Sequence, residues 1–123
     1  MTPYVALWRA AFVLALLTEL PIVALAAPSG KRLRATLASL AGNAATHPAL
    51  WFLWPRLMPQ LPALLFGEVI AVVVEAALMA TLGGLPKRRA LLIALAANAY
   101  SWVMMELITR WLAPALASYW WGR

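Results

Sequence analysis

The four acidic residues of this 123-residue chain all lie within long apolar stretches rather than in the polar segments between them. They are Glu19, Glu68, Glu75 and Glu106, and the single histidine, His47, has a similar setting. An ionisable side chain inside a membrane costs several kcal/mol, so such groups usually face a bundle interior or a water-filled cavity. Carboxyl groups in that position can release protons or bind cations, which makes these residues the first candidates for chemistry.

Each half of the chain supplies one glutamate, one asparagine and one hydroxyl residue to an inner polar layer. The predicted binding set is Glu19, Asn43, Thr46, Glu75, Asn98 and Ser101. The glutamates and asparagines lie roughly 10–14 Å from the same membrane face, at about 1.5 Å per helical residue. In one interpretation the glutamates exchange protons or coordinate a cation. In the other, neutral glutamates and asparagines hydrogen-bond between helices and fix their packing, each bond contributing about 0.6–2 kcal/mol.

An outer polar layer lies toward the opposite membrane face and consists of Arg9, His47, Glu68 and Glu106. The imidazole of His47 titrates near neutral pH, so it suits a proton relay as well as a structural partner for a buried carboxylate. Two placements are open for Arg9: an ion pair with Glu68 or Glu106 at the same depth, or extension of the side chain outward to the membrane interface. Glu106 also precedes Arg110 by four residues, which is the favourable order for an ion pair on one helix.

The composition assigns these residues to an integral membrane protein. Apolar residues make up 65% of the chain and charged residues 11%, against roughly 45–50% and 25% in soluble domains. A soluble enzyme or a nucleic-acid-binding module could not cover its surface with so few polar groups. Four apolar stretches reach the roughly 20 residues that a membrane-spanning helix needs. They lie at about 4–26, 33–54, 62–83 and 90–112, with Gly- and Pro-rich joints that predict antiparallel neighbours in an all-α bundle.

The second half of the chain resembles the first in the order of its polar residues. The informative matches are Arg34 with Arg89, Asn43 with Asn98, Thr46 with Ser101, and Glu19 with Glu75. We therefore predict two tandem helical hairpins related by a parallel pseudo-twofold axis along the membrane normal, an arrangement found in transporters. The single domain covers residues 1–123, with hairpin 1 at about 4–54, hairpin 2 at about 62–112 and an interfacial aromatic tail at 113–123.

The basic residues predict the orientation in a bacterial-type inner membrane. They concentrate in the first and third joints, as Lys31, Arg32 and Arg34 and as Lys87, Arg88 and Arg89. Because lysine and arginine accumulate in cytoplasmic loops, both basic hairpin loops are expected inside and both termini outside.

These patterns lead to two functional hypotheses. The first is a small transporter or conduction unit for a proton, a cation or a small cationic solute, completed by a homo-oligomer or a partner subunit. The second is a non-catalytic accessory or assembly subunit of a larger membrane complex. We expect no enzymatic activity, because no catalytic motif is visible, and no cofactor or metal, because the chain has one histidine and no cysteine. The expected surroundings are the lipid bilayer and other membrane protein chains, not nucleic acid.

Overall fold

A computed structural model describes residues 2–111. In that range all regular secondary structure is helical. The elements are α1 (Pro3–Ala26), a 3₁₀ turn (Ser29–Lys31), α2 (Arg32–Phe52), α3 (Trp54–Leu57), α4 (Gln60–Thr81) and α5 (Lys87–Trp111). The predicted aromatic tail at 113–123 lies outside the described residues.

The helix boundaries follow local backbone chemistry. Thr2 caps α1 by accepting a hydrogen bond from the Val5 amide, and Pro3 occupies the first turn, where a missing amide hydrogen is tolerated. The helix α4 starts two residues before the predicted position, because Pro62 falls in its first turn and does not break it. The joint before α4 contains the short helix α3, which the sequence did not predict. Gly84 (φ 68°) makes the turn before α5.

The four long helices form an antiparallel bundle in which each helix packs against two of the others. Helix α1 packs against α2 and α5, and α4 packs against the same two helices. Contacts between helix ends show the antiparallel orientation. Tyr4 near the start of α1 contacts Trp51 near the end of α2. Arg89 at the start of α5 donates a hydrogen bond to the Ala26 carbonyl at the end of α1. This arrangement directs one stripe of each helix toward a common centre.

The buried stripes consist mainly of small residues, which allow the helices to approach closely. On α1 the stripe is Ala11, Ala15, Glu19 and Val23, one residue per turn. On α2 it includes Ala35, Ala38, Ser39, Gly42, Asn43 and Thr46. At the tightest point, a Cβ atom on Gly42 would lie 2.6 Å from Glu75 Cγ and 3.2 Å from Glu75 Cα. Gly42 therefore allows the close contact between α2 and α4.

Three helices, α1, α4 and α5, are long and apolar enough to cross a membrane. Helix α2, with 21 residues, is not among them, so the predicted fourth membrane span is not confirmed. The reason is that α2 carries two arginines near its start and supplies Ser39, Asn43, Thr46 and His47 to the bundle. The outward surface of the bundle is rich in large apolar side chains, such as Leu17, Leu25 and Leu33.

Candidate functional site

A polar cavity of about 60 Å³ lies among the four long helices. Its polar lining residues are Glu19, Asn43, Thr46, His47, Glu68, Asn98, Ser101 and Glu106. Eight of the ten predicted site residues therefore meet around one space, and the predicted inner and outer layers are continuous through it. A buried polar space needs at least about 10–15 Å³ to hold one water molecule, so this cavity is large enough to be hydrated.

Glu19 is the deepest carboxyl group among the lining residues, and its side chain is 4% exposed. Asn43 Nδ2 donates to Glu19 Oε2 at 2.8 Å, which links α2 to α1. The same amide nitrogen lies 3.3 Å from the Ser39 carbonyl one turn earlier in α2, so the helix itself fixes the orientation of the donor. Glu19 thus combines side-chain hydrogen bonding to Asn43 and Ser101 with a position on the cavity wall.

Glu75 corresponds to Glu19 in the sequence but has a different environment. Its side chain is 0% exposed, and both carboxyl oxygens are occupied. Ser39 Oγ donates to Oε2 at 3.1 Å, and Asn98 Nδ2 donates to Oε1 at 3.2 Å. Asn98 also donates to the Ala94 carbonyl at 2.9 Å, as Asn43 does within α2. The Glu75 carboxyl group therefore joins α2, α4 and α5 and resembles a packing element more than an exchange site.

At the other end of the cavity, His47 is surrounded by aromatic rings. Trp8 Nε1 donates to His47 Nδ1 at 3.1 Å, and the rings of Phe12 and Trp51 lie 5.1 and 6.3 Å from the imidazole. Because Nδ1 accepts a hydrogen bond, the proton of the neutral ring is on Nε2. The Nε2–H group can therefore donate a hydrogen bond, while Nδ1, the basic nitrogen of the neutral ring, is occupied by the Trp8 indole.

The remaining charged residues of the predicted outer layer differ in whether they line the cavity. Glu106 lines the cavity and forms an ion pair with Arg110, as the spacing of four residues predicted. Glu68 also lines the cavity, and its carboxyl group lies close enough to those of Glu19 and Glu75 to interact electrostatically with both. Arg9 is exposed on α1 and is not among the residues that line the cavity.

Two hydroxyl residues belong to this polar network although the sequence analysis did not select them. Ser39 bonds to Glu75, and the Thr18 hydroxyl lies 3.1 Å from Ser101 Oγ and 2.9 Å from the Leu14 carbonyl. Serine and threonine can satisfy themselves on their own helix, so their type alone does not mark them. The available signal was position relative to the selected residues. Ser39 lies one helical turn before Asn43, and Thr18 immediately precedes Glu19.

Comparison of the chain with protein-family models, with curated proteins and with solved structures finds no match.

Proposed function

We propose that this chain is a small membrane transporter or conduction unit for a proton, a cation or a small cationic solute. The observation that carries the proposal is the polar cavity, where the carboxyl groups of Glu19, Glu68 and Glu106 share one space with His47 inside an apolar bundle. Carboxyl groups are costly in this environment, and amides or hydroxyls would serve helix packing at a lower cost. Their convergence on an internal space favours a path for protons or cations.

The two inner glutamates have different roles in this proposal. Glu19 exchanges the proton or binds the cation, because it faces the cavity. Glu75 positions α2, α4 and α5, because Ser39 and Asn98 occupy its carboxyl oxygens. His47 forms part of the outer access path, where its Nε2–H group can donate a hydrogen bond to water in the cavity. Uptake of a proton by the ring occurs at Nδ1 and requires loss of the hydrogen bond from Trp8.

We further propose that α2 is a fourth membrane span. Its 21 residues extend about 31 Å at 1.5 Å per residue, which matches the hydrocarbon thickness of a bilayer. Its amide and hydroxyl side chains are buried in the bundle, while the exposed positions along the middle of the helix are apolar. Those exposed positions are Leu37, Ala41, Ala44 and Ala45. Helix α2 is therefore polar toward its protein partners and apolar toward the surroundings.

The packing supports the proposed pair of tandem hairpins. The buried residues Ala35, Ala38, Ser39, Gly42, Asn43 and Thr46 of α2 correspond one by one to the buried residues Ala90, Ile93, Ala94, Ala97, Asn98 and Ser101 of α5. Arg34 donates to the Leu82 carbonyl at the end of α4, and Arg89 donates to the corresponding Ala26 carbonyl at the end of α1. A pseudo-twofold axis along the bundle accounts for both correspondences.

The small size of the cavity favours assembly. A space of about 60 Å³ accommodates water or a bare cation but little else. A complete pathway for a larger cationic solute therefore requires a homo-oligomer or a partner subunit. We place this assembly in a bacterial-type inner membrane with the two basic hairpin loops cytoplasmic, on the basis of the loop charges.

The test compares Glu19→Gln with Glu75→Gln in reconstituted vesicles. Glutamine keeps the carbonyl oxygen that accepts from asparagine but cannot release a proton or neutralise a cation. Glu19→Gln should abolish proton or cation flux while leaving the unfolding midpoint nearly unchanged. Glu75→Gln should keep most of the flux, because the Ser39 hydroxyl can accept a hydrogen bond as well as donate one. Wild-type flux in Glu19→Gln would refute the assignment.

The interhelical hydrogen bonds of Glu75 favour one alternative, an accessory or assembly subunit whose polar residues fix the helix register. In that case both glutamate-to-glutamine variants should behave as wild type in every flux assay. Glu75→Leu should then disturb assembly, because Ser39 and Asn98 would lose a buried partner at a cost of about 1–3 kcal/mol for each unsatisfied group. Co-purification of the wild-type chain with larger subunits would further support this alternative.

A further inference from the structure

Two basic side chains of the first hairpin converge on the turn between α4 and α5. Lys31 Nζ donates a hydrogen bond to the Gly84 carbonyl. Arg34 Nε donates to the Leu82 carbonyl at 3.1 Å, two residues before Gly84. A Cβ atom on Gly84 would lie 3.7 Å from both Nη1 and Nη2 of Arg34, so the guanidinium group lies beside that glycine. The ammonium and guanidinium groups therefore share one turn at the end of the bundle.

The chain places no negative charge at this turn. All four glutamates lie within α1, α4 and α5, and neither basic joint contains an aspartate or a glutamate. Lys31 and Arg34 both lie at Gly84, within the distance of about 10 Å over which 0.1 M salt screens exposed charges. The two cations therefore repel each other, and an anion bound between them would replace this repulsion by two attractions.

Both side chains keep hydrogen-bond donors for such an anion. An ammonium group has three N–H donors and a guanidinium group has five. Arg34 uses Nε for its bond to the Leu82 carbonyl, which leaves the N–H groups of Nη1 and Nη2 for another acceptor. The planar guanidinium fork can bind a phosphate through two parallel hydrogen bonds, and the lysine adds a point charge. The contacts with Gly84 and Leu82 hold both side chains in place before a ligand arrives.

The surroundings of the pair select an amphiphilic anion. Three helices that are long and apolar enough to cross a membrane, α1, α4 and α5, all begin or end at this end of the bundle. Leu33 precedes Arg34 in the chain and is 72% exposed, and Leu82, which provides the carbonyl that Arg34 binds, is 59% exposed. A ligand that matches both the charges and the apolar side chains has a phosphate group and acyl chains.

We propose that Lys31 and Arg34 bind the phosphodiester group of an anionic membrane lipid, with the acyl chains of the lipid along the outer surface of the bundle. A zwitterionic lipid would bring its own ammonium group next to the two cations, so the site selects a lipid with a net negative charge. In the orientation proposed from the loop charges, this lipid belongs to the cytoplasmic leaflet. The inference does not depend on the proposed transport, since neither residue lines the polar cavity.

The second hairpin offers a matched control. Arg89 corresponds to Arg34 and donates in the same way to a carbonyl at the end of the other hairpin's first helix, that of Ala26, at 3.0 Å. The position that corresponds to Lys31 is Pro86, so that end lacks the second cation. Arg89→Gln therefore removes the same kind of helix-end contact as Arg34→Gln but leaves the proposed lipid site intact.

The experiment measures binding of phosphatidylglycerol to the full chain in detergent micelles by native mass spectrometry. The wild-type protein should bind phosphatidylglycerol at least about 5-fold more tightly than phosphatidylcholine. Lys31→Gln and Arg34→Gln should each weaken binding of phosphatidylglycerol at least about 5-fold, whereas Arg89→Gln should stay within 2-fold. Lys31→Arg, which keeps the charge, should also stay within 2-fold. Arg34→Gln and Arg89→Gln should lower the unfolding midpoint by similar amounts, which separates lipid binding from the helix-end contact.

Four outcomes would overturn the proposal. Equal weakening by Arg34→Gln and Arg89→Gln would show that total charge, rather than this site, attracts the lipid. Equal binding of phosphatidylcholine, or no binding of phosphatidylglycerol by the wild-type protein, would remove the selectivity on which the proposal depends. Displacement of the lipid by soluble glycerophosphoglycerol at equal concentration would indicate a site for a free phosphodiester. Tighter binding of a hexaglutamate peptide than of phosphatidylglycerol would assign the surface to an acidic protein partner.

Discussion

Gly42→Ala should destabilise the bundle, because the added methyl group has no room between α2 and α4. The new Cβ would lie 2.6 Å from Glu75 Cγ, whereas carbon atoms pack best at about 3.5–4.0 Å. The helices must therefore separate locally by about 1 Å, or the Glu75 side chain must rotate. Rotation is costly, because Ser39 and Asn98 hold both carboxyl oxygens.

The expected magnitude combines two opposing effects. Overpacking of this kind lowers the free energy of unfolding by about 1–3 kcal/mol. Replacing glycine by alanine inside a helix raises it by up to about 1 kcal/mol. We therefore expect Gly42→Ala to lower the free energy of unfolding by about 1–2 kcal/mol. The measurement is reversible unfolding in mixed detergent micelles containing increasing SDS, followed by circular dichroism.

Two control variants make this prediction specific. Gly30→Ala adds the same methyl group where no heavy atom lies within 4 Å, so it should change the free energy by less than about 0.5 kcal/mol. In a Glu75→Ala background the clashing Cγ is absent, and Gly42→Ala should cost at least about 1 kcal/mol less than in the wild type. The reasoning is refuted if Gly42→Ala is as harmless as Gly30→Ala, or if its cost is the same in both backgrounds.

Two further predictions concern topology and the histidine tautomer. Because the chain has no native cysteine and the basic loops are expected inside, a membrane-impermeant maleimide should fail to label Lys31→Cys or Lys87→Cys in intact bacterial cells. Labelling of either cysteine from outside would disprove the orientation. Since the Trp8 indole donates to His47 Nδ1, ¹⁵N NMR of the neutral imidazole should show the Nε2–H tautomer, and Trp8→Phe should increase the Nδ1–H fraction. A dominant Nδ1–H tautomer in the wild-type protein would contradict the hydrogen bond.

Local physics was sufficient to predict the four long helices and the polar residues that line the cavity, but not α3, Ser39 or Thr18. Apolar stretches of about 20 residues are long enough to span a bilayer, and prolines and glycines marked the joints within two or three residues. Helical periodicity also grouped Asn43 with Thr46 and Asn98 with Ser101, because residues three apart share a face. Depth along a helix is a matter of counting residues, so the sequence alone orders the inner and outer polar groups along each helix.

Tertiary packing alone decided how the two similar glutamates differ. Both are buried, and both accept a hydrogen bond from an asparagine of the following long helix. Around Glu75, Ser39 supplies a second donor and Gly42 allows close contact. The residues of α5 that correspond to Ser39 and Gly42 are Ala94 and Ala97, which offer neither a hydroxyl group nor the space of a glycine. Glu75 is therefore enclosed while Glu19 borders the cavity, because access depends on which side chains neighbouring helices bring into contact.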